Sequence, residues 1–406
     1  MNILTRNSVF RTITISRFLS ALGSYMYNIV FIVYATTLPY SNIALFIANI
    51  VTIIPTVFTF WIGIKADNTK NKVKLLILMG FLQSILFVII ALLMKNKTFL
   101  VFSIVGFINV ISDAINDFTN GLRLPIMQKN IESEKLYEAY SFSQFISYLS
   151  NILGQVLGVW LLTTSNHNYS FVAVINALTF LLSTLILLLN KQKLTYHFIK
   201  TPTEKISLSE QFKEMYATMK EIFKKVDDVS FVRLLMSILI LNVIGGAVNS
   251  IYNFYFMKHQ LFGLHYGQSL VIVESILIVG AILGNLTPND YFSKLSISKL
   301  VIIQSVAFGL VGISNITKLS PIFGILFLAF AAFIMGKATP KLDSLLMENL
   351  PTNMLAQSNN FLGLLFTLSL PLGVFIFSSL AIYSIILCWI LFTMLSLIAI
   401  IFIYIK

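Results

Sequence analysis

Apolar residues in this chain gather into twelve long runs separated by mostly short polar stretches. A bilayer core needs about 20 apolar residues per helix. By that measure the runs predict spanning helices over 9–37, 42–64, 73–94, 98–122, 138–162 and 169–190, then 230–256, 267–287, 297–317, 320–342, 354–379 and 382–405. The long polar stretch, 191–229, carries Lys191, Lys193, Lys200, Lys205, Lys213, Lys220, Lys224 and Lys225 and falls midway. The expected organisation is therefore an all-α integral membrane protein, with an N-terminal six-helix bundle over 1–190, a linker over 191–229 and a C-terminal six-helix bundle over 230–406. Within the linker, Ser207 and Glu210 have capping-box spacing, and Leu208, Phe212, Met215, Met219, Ile222 and Val226 share one helical face. That pattern predicts an amphipathic helix lying on the cytoplasmic membrane surface.

Composition agrees with lipid as the main solvent. Hydrophobic residues make up 57% of the chain against 11% charged, outside the usual soluble range. A net charge of +12 raises the question of nucleic acid, but the basic residues sit between apolar runs and form no stripe, which argues against that partner. Of the 28 Lys and Arg, only Lys95, Lys97, Lys258 and Lys318 fall on one side of the predicted spans. The positive-inside rule then places both termini and the linker in the cytoplasm. The first run, at 9–37, is too long for the 7–15 residue core of a signal peptide and reads as a retained helix.

The two halves echo each other. Gly121, Pro125 and Gly158 recur at one constant offset as Gly336, Pro340 and Gly373, and Arg11 and Gly23 recur at a slightly larger one as Arg233 and Gly245. Two parallel six-helix repeats are an architecture of secondary transporters.

Ionisable groups inside a span are costly unless they face a cavity or a partner, so they mark function. In the fourth span Asn109, Asp113, Asn116, Asp117 and Asn120 follow helical spacing and share one face, predicted to line a wet cavity. Two carboxylates one turn apart repel when both are ionised, so one is expected to hold a proton near neutral pH, with Asp113 the deeper of the two. Asp117 also has a plainer reading, as an anchor at the membrane interface beside Arg123. Arg17, about two turns into the first span, pairs with a helix 4 aspartate or snorkels to headgroups. Glu274 in the eighth span has no basic residue within two turns in the sequence and is a second candidate proton or cation site. Lys337 and Lys341, with Asp343, read mainly as interface anchors. The one cysteine, Cys388, allows no intrachain disulfide and no cysteine metal cluster. His167, His197, His259 and His265 lack metal-ligand spacing and there is no phosphate-cradling loop, so no metal, cofactor or ATP-driven step is expected.

The loop after the second span, Gly63-Ile64-Lys65-Ala66-Asp67-Asn68-Thr69-Lys70-Asn71-Lys72, resembles the major facilitator signature G-x-x-x-D-R-x-G-R-K. Glycine, aspartate and final lysine match, whereas Asn68 and Asn71 replace the usual arginines. In the first span Arg11, Arg17-Phe18, Leu19-Ser20 and Leu22-Gly23, with Glu134-Lys135-Leu136 and Ser143-Gln144 before the fifth, resemble the macrolide-efflux and enterobactin-exporter branch of that superfamily. The resemblance implies the major facilitator fold, two pseudo-symmetric bundles that expose a central cavity alternately to either side. It also implies a cytoplasmic gate at Gly63, Asp67 and Lys72 with Arg123 nearby, Asp67 latching through the dipole of helix 11. Asn109 stands where exporters of the superfamily often have an arginine. Helices 1 and 7 line the pathway in such proteins, which makes Tyr27, Tyr34 and Tyr252, with neighbouring Tyr25 and Tyr255, candidate cavity aromatics.

The function expected is proton-coupled efflux of an amphipathic small molecule such as a drug, antibiotic or siderophore-like compound, by a monomeric antiporter. Abundant Lys, Ile and Asn point to an AT-rich bacterial genome and hence to a multi-pass protein of the bacterial inner (cytoplasmic) cell membrane. Nutrient uptake on the same fold is the runner-up. A non-transporting membrane protein is a further alternative, as is an intramembrane enzyme, since Asn116-Asp117-Phe118-Thr119-Asn120 faintly resembles a prenyltransferase metal motif.

Overall fold

The computed structural model describes residues 4, 6–132, 135–194, 230–259, 261–287, 290–317, 321–349 and 352–404, without the side chains of Asp67, Tyr137 and 343–361. Among them are twelve helices long and apolar enough to cross a bilayer. In chain order they are α1 Ser8–Thr36, α2 Ser41–Asp67, α3 Lys72–Leu93, α4 Phe99–Asn130, α5 Leu136–Thr164, α6 Tyr169–Leu189, α7 Phe231–Tyr255, α8 Tyr266–Leu286, α9 Ile297–Ile316, α10 Pro321–Asn349, α11 Thr352–Tyr383 and α12 Ile385–Tyr404. The amphipathic linker helix expected over 207–226 lies outside the described residues.

Two of the helices outrun the apolar pattern. Helix α4 continues past the predicted end at 122 through Pro125 to Asn130, and α10 continues past 342 to Asn349, with Pro340 inside it. Beyond the hydrocarbon a polar helix loses nothing by continuing, because its backbone bonds remain internal. Polar caps set several starts: Asn7, Thr98 and Asn168 accept the backbone N–H groups of Phe10, Val101 and Phe171.

The chain divides into two units, one of residues 1–202 with 265–271 and one of 203–264 with 272–406. In the first, α1 packs on α5 and α6, α2 on α4, and α3 on α6. In the second, α7 packs on α11 and α12, and α9 on α10 and α12. Lipid tails are as apolar as leucine, so close backbone approach has to do much of the work of joining helices. A Cβ on Gly158 of α5 would sit 2.5 Å from the Met26 carbonyl oxygen of α1, and one on Gly373 of α11 would sit 2.0 Å from the Val243 carbonyl oxygen of α7. Gly121 meets Ala66, and its counterpart Gly336 meets Ala281. The glycine and its contact thus recur together, at one and the same offset along the chain. Gly23 and Gly245 do not correspond in packing, since Gly23 lies tight against Thr179 and Asn176 whereas a Cβ on Gly245 would meet nothing within 4 Å.

Outward faces are apolar, as lipid requires. On α3, Leu78, Leu82, Ile85, Ile89 and Leu92 form an exposed stripe, while Gln83 and Ser84 turn inward to the carbonyls of Ser112 and Ala177.

In the second unit Lys337 is buried and clasps the α8–α9 connection. Its ammonium pairs with Asp290 Oδ2 at 2.9 Å and donates to Thr287 O and Ser293 Oγ. Lys341 donates to Ser293 O at 2.9 Å and to Leu295 O. These lysines tie helix to loop, a role more specific than the interface anchoring expected of them. At Asp290 partial desolvation pushes the carboxyl up, but Lys337 and the two bonds from Ser293 outweigh it and hold the group down, from the ordinary 3.8 to about 2.

Two outcomes follow for stability. Gly158→Ala and Gly373→Ala should each cost about 1–3 kcal/mol through overpacking against a carbonyl, whereas Gly245→Ala should fall within about 1 kcal/mol of wild type, read by thermal unfolding of purified protein. A depressed carboxyl contributes stability that is present above its unfolded value and lost as pH falls through its folded one. The melting temperature of wild type should therefore exceed that of Lys337→Met at neutral pH, and the gap should shrink as pH drops from 3.8 towards about 2.

Candidate functional site

The polar face foreseen on α4 opens on a cavity of ≈ 340 Å³ within the first unit. Asp113, Asn116, Asp117 and Asn120 line one side. Facing them on α1 is a second polar stripe, Arg17, Ser20, Ser24 and Asn28, at intervals of three and four residues. Helix α2 adds Thr52, Pro55 and Thr56, and α5 adds Ser147. Tyr25 and Ala21 complete the wall, so Ala21 and Pro55 are its apolar members.

Two side-chain bonds set the register of α1 against α4. Near one end Asn109 Nδ2 donates to Asn28 Oδ1 at 3.4 Å. Near the other Arg123 Nη2 donates to Ser20 Oγ at 3.3 Å, and Nη1 to Asn120 Oδ1 at 3.0 Å. The helices therefore run antiparallel, with Asp113 towards the Asn28 end and Arg17 towards the Asn120 end. Asn109 is fully buried and stands behind the wall, reaching it through Asn28.

The charges are held differently. Asp117 Oδ2 accepts from Thr59 Oγ1 at 2.9 Å, on the neighbouring helix α2. Asp113 has no hydrogen bond or ion pair among the described residues, and neither has the guanidinium of Arg17. The pairing of Arg17 with a helix 4 aspartate is thus not formed. Arg123 is buried behind Asn120 and Ser20, with Nε lacking a partner among the described residues. It does not pair with Asp117 either; its neighbours are an amide and a hydroxyl.

Other expected residues lie elsewhere. Tyr27 and Tyr34 are fully buried in the core of the first unit, Tyr27 between Phe31 and Phe87 with its hydroxyl on Met94 Sδ, Tyr34 against Phe102 and Tyr169. Of the tyrosines on α1, Tyr25 is the one that reaches the cavity. Tyr252 is packed against Trp389 and Phe256, its hydroxyl accepting from Asn315 Nδ2 at 3.4 Å. Aromatic rings bury large apolar areas, and in both units that preference won over exposure to a cavity. Glu274 is half-buried on α8, in the second unit. That unit has its own cavity of ≈ 270 Å³, apolar apart from Asn242, Gln304 and Thr339. At the start of α3, Lys72 is buried and its ammonium donates to Ala66 O at 2.6 Å, fastening the end of α2. Gly63 has open space at its Cα, and the side chain of Asp67 lies outside the described residues.

A sequence model described as Major Facilitator Superfamily matches residues 13–374. The chain belongs to the major facilitator superfamily. Solved structures of the superfamily's fold superpose over nearly the whole chain. A mutant form of the nucleoside transporter NupG matches at 15% identity and TM-score 0.69, covering 97% of this chain and 98% of that one. A peptide transporter POT in complex with sulfate matches at 14% and 0.71, covering 98% and 93%. A bacterial homologue of the human lysosomal transporter Spinster, inward-facing and unoccupied, matches at 12% and 0.64, covering 97% of each. At such identities the likeness is one of fold. Among curated proteins no sequence matches significantly. As a member of the major facilitator superfamily the chain is a multi-pass membrane transporter of small molecules and not an enzyme, which removes the prenyltransferase reading.

The stripe on α1 was open to the same spacing rule that found α4, at 17, 20, 24 and 28, but serines are common in spanning helices and carry less signal than carboxylates. Replacing Arg123 by leucine should cost about 1–3 kcal/mol, because Asn120 and Ser20 lose a buried donor, while Ser20→Ala should cost about 1 kcal/mol. Thermal unfolding of the two variants checks this, and equal melting temperatures for Arg123→Leu and wild type would contradict it.

Proposed function

We propose that this protein is a secondary active transporter of the bacterial cytoplasmic membrane, acting as a monomer, that couples export of an amphipathic small molecule to entry of protons by alternating access. The observation that carries the reading is Asp113. It lies well inside a spanning helix, opens on a polar cavity, and takes no hydrogen bond or ion pair from the described residues. A carboxylate kept in that setting needs a proton, a cation or water to satisfy it.

The proposed mechanism is competition. A proton on Asp113 removes one negative charge from the cavity and with it the attraction for a cationic substrate group; loss of the proton restores both. A ligand shifts a conformational equilibrium by its differential affinity for the two states, so exchanging proton for substrate at one carboxylate links their movements in opposite directions. Asp117, held by Thr59, is the neighbouring carboxyl one turn away. Glu274 is the proposed second titrating site. The junction of α2 and α3, with Gly63 and Asp67 at the end of one helix and Lys72 at the start of the next, is the proposed cytoplasmic gate together with Arg123.

Export is favoured by the likeness of the α1 residues Arg11, Arg17 and Gly23 to the macrolide-efflux and enterobactin-exporter branch. Uptake is the second reading, on the same fold that the solved nucleoside and peptide transporters share.

The test uses liposomes loaded with a pH-sensitive dye and a panel of amphipathic cations, macrolides and siderophores. Substrate should drive proton flux against its own movement, Asp113→Asn should reduce that flux at least tenfold, and Glu274→Gln should show whether a second site contributes. Flux in the same direction as substrate would turn the reading to uptake, and unchanged flux in Asp113→Asn would remove the proton site.

A further inference from the structure

The cavity of the first unit has two poles. On α1 its wall runs from Arg17 to Asn28, and on α4 from Asn120 back to Asp113. The Asn109–Asn28 and Arg123–Ser20 bonds fix which ends meet. Arg17 stands at the Asn120 end, where the buried guanidinium of Arg123 also bonds Asn120 and Ser20. Asp113 stands towards the opposite end. Seven residues of α4 separate Asp113 from Asn120, which at about 1.5 Å per residue puts the carboxylate and the Arg17 end roughly 10 Å apart along the helix axis.

Neither pole is neutralised from within. Asp113 and the Arg17 guanidinium line the same cavity, yet neither forms an ion pair or hydrogen bond with a described residue. Between them the wall consists of hydroxyls and amides, Ser20, Ser24, Thr56, Asn116 and Asn120, and of the Asp117 carboxyl, which unlike Asp113 already has a partner in Thr59. Opposite charges left unpaired within a membrane span are costly, and the cost is recovered when a ligand supplies a complement to each. A purely cationic ligand would satisfy Asp113 and meet repulsion from Arg17 and Arg123. A purely anionic one would meet the reverse at Asp113 and Asp117.

We propose that the polar portion of the transported molecule is zwitterionic, a cationic amine received by Asp113 and a carboxylate received by Arg17, with the two charges held apart by several atoms. The guanidinium suits the second role because its planar fork matches a carboxylate. An α-amino acid, whose charges adjoin, spans too little of the cavity, so the preferred ligands carry a spacer. This rests on the reading of the cavity as the transport site, which it deepens by naming the substrate class.

The experiment measures binding, by calorimetry on the full chain in lipid nanodiscs, of ω-amino acids from glycine to 8-aminooctanoate. Each is set beside the n-alkylamine and the n-alkanoate of equal length. The ω-amino acids of intermediate length should bind at least tenfold more tightly than glycine and than either singly charged partner. Arg17→Gln should bring the ω-amino acid to the level of the alkylamine, and Asp113→Asn to that of the alkanoate. Alkylamines binding wild type as tightly as the zwitterions would overturn the proposal, as would the absence of binding by any ω-amino acid. The ligand series on wild type decides even if a variant fails to fold. Zwitterion binding without any substrate-driven proton flux would sink the coupled-transport reading and leave this one standing. Proton flux driven by alkylamines without zwitterion binding would do the opposite.

Discussion

A hydrocarbon solvent accepts and donates no hydrogen bonds, and almost every feature of this protein answers to that fact. Backbone groups are satisfied inside helices, so the described residues resolve into twelve long ones. Side chains on α3 invert the soluble order, with leucine and isoleucine outward and Gln83 and Ser84 inward on carbonyls. Asp113, Asp117 and Arg17 face the cavity of the first unit, and Lys337 is taken up by the clasp of the second.

The same solvent removes the ordinary driving force for joining helices. Glycines at the crossings stand in for it, letting backbones approach until a single added carbon would collide with a carbonyl. That these glycines recur in equivalent helices of both units, Gly158 with Gly373 and Gly121 with Gly336, indicates that the two halves solve one packing problem in one way. Their cavities nevertheless diverge, polar and charged in the first unit and mostly apolar in the second. The packing is shared between the units and the cavity linings are not.

Much of this was legible in the sequence because lipid imposes long apolar runs and makes a buried carboxylate conspicuous. Asp113, Asn116 and Asp117 were found by spacing alone, and the internal repeat by its glycines and proline. The tyrosines were not, since a ring gives the same signal whether it packs in a core, as Tyr27, Tyr34 and Tyr252 do, or lines a cavity, as Tyr25 does. Hydrogen-bond partners across helices, such as Thr59 on Asp117 and Asn28 on Asn109, depend on rotational register, which hydropathy does not encode.

The central claim is that the α1 and α4 faces enclose water within the membrane. Because Cys388 is the chain's one cysteine and is buried, replacing it by serine gives a background for single cysteines at Ser24, Asn116 and, as a lipid-facing control, Phe107, which is 67% exposed on the outer surface. A charged, membrane-impermeant thiol reagent applied in native membranes should modify the cysteines at 24 and 116 and spare the one at 107. Protection of 24 and 116 to the level of 107, with the cavity open to either side by substrate or pH, would contradict the account.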